Sequence, residues 1–226
     1  MPTNDLPAQA KVFADDLSDL LNGTVTNGPR LTVLFPRGKN TANIGYRTSR
    51  RSAMSELIPI GVSGPPRVWL SLVFTVSLDG DGDFLMITQS AMGLFTAPTR
   101  EDDALIVSVD YARHPGNKYP GSHLHVGGHR DDLDVLYGGD ARKARKLRDL
   151  HLPVGGKRFR PTLEDLVEFM VLEEMVEPRD GWEAKVKEHR DIWELRQTKA
   201  AVRNHQAAAA EVLRSKGWKV EPPAAD

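Results

Sequence analysis

Histidine clusters more tightly than any other reactive residue type in this chain: five of its seven copies fall between His114 and His151. The densest stretch is YPGSHLHVGGH, in which His123 and His125 are two apart, Gly127 and Gly128 follow, and His129 stands just beyond. Residues two apart on a β-strand share a face, so the two imidazoles stand side by side while Leu124 and Val126 turn toward a core. With a third ring from His129 or His151, they form a nitrogen ligand set for zinc or another divalent metal and leave a coordination position for water. Without a metal, the same stretch is a half-exposed strand with histidines on its wet face, and no cofactor is expected. No helical His-x-x-Glu-His pair is present, and no carboxylate follows the strand pair at the offset of a cupin site.

Other chemistries find less support. No Gly-x-Ser-x-Gly turn or Ser-x-x-Lys pair is there to activate a serine. The chain has no cysteine, which removes thiolate nucleophiles, disulfides, iron–sulfur clusters and sulfur-ligated zinc. VGGKRFRPT lacks the order of a phosphate-binding P-loop, yet Lys157, Arg158 and Arg160 stand just ahead of a helix start, where cations and free amide groups attract anions. The plainer reading packs Arg160 on Phe159 and pairs it with a surface acid. DGDGD, at 79–83, suggests a calcium loop, but Phe84 stands where such a loop needs glycine and Ser90 where it needs a closing glutamate, which favours a plain turn.

Basic residues gather in two runs: Arg142, Lys143, Arg145, Lys146, Arg148, Lys157, Arg158 and Arg160, and then Arg37, Lys39, Arg47, Arg50 and Arg51. On one surface they would track a nucleic-acid backbone, with few aromatics to stack bases. The formal net charge of −1 confines any such case to local patches.

The elements that must position these groups read as α+β. Val12, Phe13, Leu17, Leu20 and Leu21 have helical spacing within 8–21, with Asn22-Gly23 as a stop. LTVLF and NIGYR read as strands, and IPIGVSGPP as a connector. RVWLSLVFTVSL alternates strictly and turns through DGDGD into FLMITQSAMGLF, a long hairpin; ALIVSVDYA and HLHV continue the series around a proline bend. DARKARKLRDL reads as a short helix from Asp140, and LHLPV as extended. Thr162 and Asp165 have capping-box spacing at the start of a buried helix over 162–176. Residues 181–218 carry almost no helix breaker, so an unbroken helix would run roughly 50 Å at about 1.5 Å per residue, which requires a bend or outside support.

The expected fold is therefore an antiparallel meander of about five or six strands, packed by the N-terminal helix and the buried helix, with a long C-terminal helix. One α+β domain spans 1–180, the appended helix 181–218 and a disordered tail 219–226. Trp182, Trp193 and Trp218, with an interrupted heptad of Ile192, Leu195, Val202, Ala209 and Leu213, make that helix a surface for a protein partner or for self-association. No secretory signal or apolar run of membrane-spanning length is visible, so a cytoplasmic protein without membrane contact is expected.

The order of elements resembles the ubiquitin-conjugating enzyme fold and its RWD relatives. ALIVSVDYA, Tyr119-Pro120, HLHV, then Phe159-Arg160-Pro161 before TLEDLVEFMV and Glu177-Pro178 carry the resemblance, across roughly residues 68–200. Where those enzymes hold the thioester cysteine, this chain reads LHLPVGGKRFRP, and His114-Pro115-Gly116-Asn117 precedes the Tyr-Pro bend instead of following it. The resemblance implies a protein-binding module without conjugating activity. A non-enzymatic interaction module, a metal-dependent hydrolase centred on His123 and His125, and a phosphate-backbone binder are the three functions open to the sequence.

Overall fold

A computed structural model describes residues 5–48, 55–116, 119–128, 146–155 and 160–221. It is α+β, with an antiparallel sheet of eight strands and four helices among the described residues. The strands are β1 (Leu31–Leu34), β2 (Ala42–Tyr46), β3 (Ile58–Ile60), β4 (Val68–Leu78), β5 (Leu85–Phe95), β6 (Leu105–Ala112), β7 (Ser122–Val126) and β8 (Leu152–Pro153). The helices are α1 (Leu6–Thr24), α2 (Leu163–Leu172), α3 (Trp182–Asn204) and α4 (Gln206–Ser215). The chain divides into two compact units, Met1–Val186 and Lys187–Asp226.

β4 organises the sheet. Val68, Leu70, Leu72, Phe74 and Val76 are all buried on one face, as strict alternation requires of a half-buried strand. One edge of β4 pairs along its length with β5, from Trp69↔Phe95 to Leu78↔Leu85. The other edge is shared: β3 pairs with its first part, at Ile58↔Leu70 and Ile60↔Val68, and β2 with its second, at Gly45↔Val73 and Ala42↔Val76. From there the order runs β1-β2-β4-β5-β6-β7-β8. β3 lies inside the stretch read from sequence as a connector; Ile58 and Ile60 are buried around Pro59, which sits on a strand with one open edge, where a missing N–H is tolerated.

α1 lays Leu6, Ala10, Ala14, Leu17, Leu20 and Leu21 on the sheet, with Phe13 edge-on to Phe74 at 5.4 Å between ring centroids. It runs three residues past the expected stop, because the Asn22 side chain serves the following loop, accepting from the amide of Gly28 and donating to the carbonyl of Pro29. Gln9 ties the helix to the β4–β5 hairpin, donating to Asp83 O and accepting from the amide of Leu85. In that hairpin turn, Asp79 Oδ1 accepts from the amides of Asp83 and Phe84, the turn bonding its sequence suggests.

α2 starts as its sequence predicts: the amide and hydroxyl of Thr162 both donate to Asp165 Oδ2, at 2.7 and 3.1 Å. It ends at Leu172, short of the expected 176, because Glu174 takes a left-handed φ of 55° and the amide of Met175 returns to the carbonyl of Met170. The long C-terminal segment breaks at His205 (φ −137°, ψ 52°) into α3 and α4. The run read as a helix from Asp140 lies outside the described residues up to 145; Leu147–Asp149 forms a single 3-10 turn. Residues 222–226 of the expected tail also lie outside them.

Two substitutions test these assignments. Leu72→Ala, at a fully buried centre of β4, should lower unfolding free energy by about 2–5 kcal/mol in urea titration. Glu174→Gly should raise it by up to about 1 kcal/mol, because glycine adopts the left-handed C-cap without the steric cost that glutamate bears.

Candidate metal centre

The far side of the sheet from α1 and α2 carries the histidines at the β6–β7–β8 end. The antiparallel register pairs Asp110 with His123 and Ser108 with His125, and Leu124 packs against the core on the opposite face. β8 continues the ladder with His123↔Pro153 and Leu124↔Leu152. One further step in that register sets His151 across from His125. The sequence left open whether His129 or His151 would join the pair; it is His151 that the ladder brings in, and His129 lies outside the described residues.

The three rings form a tight triangle, with centroids 5.0 Å apart for His123 and His125 and 4.7 Å from each to His151. One nitrogen from each lies within 4.8 Å of the others. Two of the rings are oriented by backbone carbonyls: His123 Nδ1 meets Pro120 O at 2.9 Å, and His125 Nδ1 meets Arg148 O at 2.6 Å. A carbonyl only accepts, so each Nδ1 carries the proton and each neutral ring keeps its lone pair on Nε2. Donation of the other ring N–H to a carbonyl is the usual support for a metal-ligating histidine. His151 is held differently, by stacking face to face on Tyr119 at 3.6 Å with 3° between the planes.

Local sequence explains each support. The Tyr-Pro bend presents Pro120 O beneath the first ring. The 3-10 turn at Leu147–Asp149, closed by the amide of Lys146 donating to Asp149 Oδ2 at 3.0 Å, presents Arg148 O to the second. Gly127 lets β7 leave against β6: its amide donates to Ile106 O at 2.9 Å, and an added Cβ would lie 1.7 Å from Leu105 O. The first glycine of the pair is thus a demand of packing rather than of chemistry.

One carboxylate belongs to this face. Asp110 Oδ2 lies 3.6 Å from His125 Nε2, with the Asp110 side chain 37% and the His125 side chain 16% exposed. Burial pushes the Asp110 carboxyl above its ordinary range, opposed by attraction to His125, His123 and His151 in that order. Sequence reasoning passed over Asp110. The phase that turns Val109 and Tyr111 inward places it outward, but only the β6–β7 register, which no residue pattern states, sets it beside the histidines.

Of the candidate anion site, Lys157 and Arg158 lie outside the described residues. Arg160 is buried, its guanidinium carbon 4.1 Å from the ring centre of Tyr111, and burial foremost pulls its pKa down. The expected packing on Phe159 lies outside the described residues. Of the basic runs, Arg142, Lys143, Arg145, Arg50 and Arg51 also fall outside the described residues. Among the described residues no helix is long and apolar enough to cross a membrane. Compared with protein-family models, curated proteins and solved structures, the chain matches none.

The raised carboxyl gives a pH prediction for metal-free protein. A folded value above the unfolded one contributes stability that is present below the unfolded value and lost as pH rises through the folded one. Asp110→Asn should therefore make metal-free protein more stable than wild type at pH 7, with the difference vanishing near pH 3; paired urea titrations at the two pH values measure it. Separately, Gly127→Ala should cost several kcal/mol by the same titration, because the clash is with backbone that cannot rotate away.

Proposed function

We propose that the chain is a metal-dependent hydrolase whose ion is held by His123, His125 and His151. The observation that carries this reading is the convergence of three imidazoles from two strand segments, with two of their Nδ1–H groups engaged by backbone carbonyls. An all-nitrogen set of this kind suits zinc, iron, nickel or copper better than magnesium or calcium. Three imidazole ligands would leave positions on a divalent ion for water, which such an ion would make a stronger acid and so a source of nucleophile near neutral pH. The chain's own part is to fix the three nitrogens, to stack Tyr119 behind His151 and to keep β7 and β8 in register.

Protein purified without a histidine tag should bind close to one equivalent of zinc or another divalent transition metal by elemental analysis. His123→Ala and His125→Ala should each weaken binding at least tenfold while circular dichroism stays unchanged. Binding should also weaken on acidification, because protons compete with the metal for the same nitrogens. Wild-type protein that takes up no metal from excess zinc, iron, cobalt or nickel would overturn the reading.

A second reading has its own observation. In Lys187–Asp226, Leu195, Val202, Val212 and Trp218 are large apolar residues that are each at least 48% exposed. Surfaces of this kind, together with the resemblance to RWD domains, favour an interaction role in which this unit associates with a second copy of the chain. Light scattering at 100 µM should then show a dimer, dissociated by Leu195→Lys with Val202→Lys. A wild-type monomer would remove it.

A further inference from the structure

We propose that Asp110 is the fourth protein ligand of the ion, making the centre a set of three imidazoles and one carboxylate. The inference rests on the metal reading of His123, His125 and His151 and adds an anion to it.

Its first ground is placement. Asp110 is the direct cross-strand partner of His123 on the same face of the sheet, and its Oδ2 lies 3.6 Å from Nε2 of His125. That nitrogen is the one left with a lone pair, since Nδ1 donates to Arg148 O. Two donors on a tetrahedral ion with bonds of about 2.0–2.1 Å stand about 3.4 Å apart, so the separation from His125 Nε2 is a ligand-to-ligand spacing. The 4.8 Å group of the three histidine nitrogens does not include Asp110, so its carboxylate has to turn toward the other two to complete the set.

The second ground is what the two groups lack. At 3.6 Å the carboxylate and the ring nitrogen are too far apart for a hydrogen bond. No donor among the described residues bonds the Asp110 carboxylate. A carboxylate partly withdrawn from water is favoured by a positive charge beside it, and a divalent ion between oxygen and nitrogen would supply one. The same carboxylate reduces the net charge of the centre to +1 and brings oxygen affinity to a nitrogen set, which extends the range of metals toward manganese and iron. Water would then be a fifth ligand, a coordination that zinc can also reach in catalysis.

Titration of metal-free full-length protein with cobalt(II) tests this, read by a competing chelator for affinity and by visible absorption for coordination. Asp110→Ala should weaken cobalt binding at least a hundredfold and change the intensity and position of the absorption bands, and Asp110→Asn should change the bands in the same direction. Ser108→Ala, the same-face partner of His125, should leave affinity and spectrum as in wild type. If wild type binds one equivalent and Asp110→Ala binds it with unchanged affinity and bands, Asp110 is not a ligand and the three-histidine centre stands without it. If wild type binds no cobalt and no other divalent metal, both readings fall together.

Discussion

Everything at the histidine face depends on the antiparallel ladder that joins β6, β7 and β8. Strand parity assigns a residue to one face or the other, and ladder register decides which residues on that face are neighbours. A slip of one residue in β7 against β6 would send His123 and His125 inward and set Leu124 beside Asp110 on the polar face. The cost of exposing Leu124 and burying two imidazoles ties the geometry of the polar face to the apolar one. The register is in turn inherited from β4 and β5, whose long pairing leaves no freedom in where β6 begins.

The division of labour between the two faces follows. α1 and α2 cover the apolar face and bury most of the large side chains, including Leu20, Leu21, Leu70, Leu72 and Met170. The β6–β7–β8 corner of the other face carries Ser108, Asp110, His123 and His125, and there rigidity comes from hydrogen bonds to backbone carbonyls and from the stack of His151 on Tyr119. Imidazoles fixed through one nitrogen and open at the other are arranged before any ion arrives, which lowers the ordering cost of binding.

How far the sequence discloses this differs from element to element. The phase of HLHV is plain from alternation, and so are the β4–β5 hairpin and the Thr162 capping box, because each is a local pattern of period or spacing. The place of His151 beside the pair is not, since it depends on where a two-residue strand meets β7, and a strand that short has no period of its own. β3 escapes notice because Pro59 stands within it and Gly61 follows it, while its two isoleucines are drawn into the sheet by burial that only tertiary packing supplies. Asn22 reads as a helix stop, yet its side chain finds a task in the loop and the helix continues beneath it. The resemblance to ubiquitin-conjugating enzymes draws on element order, which fixes neither register nor ligands.

The packing of His151 against the β7 pair has a topological consequence as well. A metal ion shared by His125 and His151 would be a crosslink between points about 25 residues apart, and closing a loop of that length withholds on the order of 3–4 kcal/mol of chain entropy from the unfolded state. β8 is only two residues long and borders the sheet, so it has little pairing of its own to hold it. An ion at this corner would thus act as a rivet on the outermost strand, coupling occupancy of the centre to whether the sheet keeps its last member.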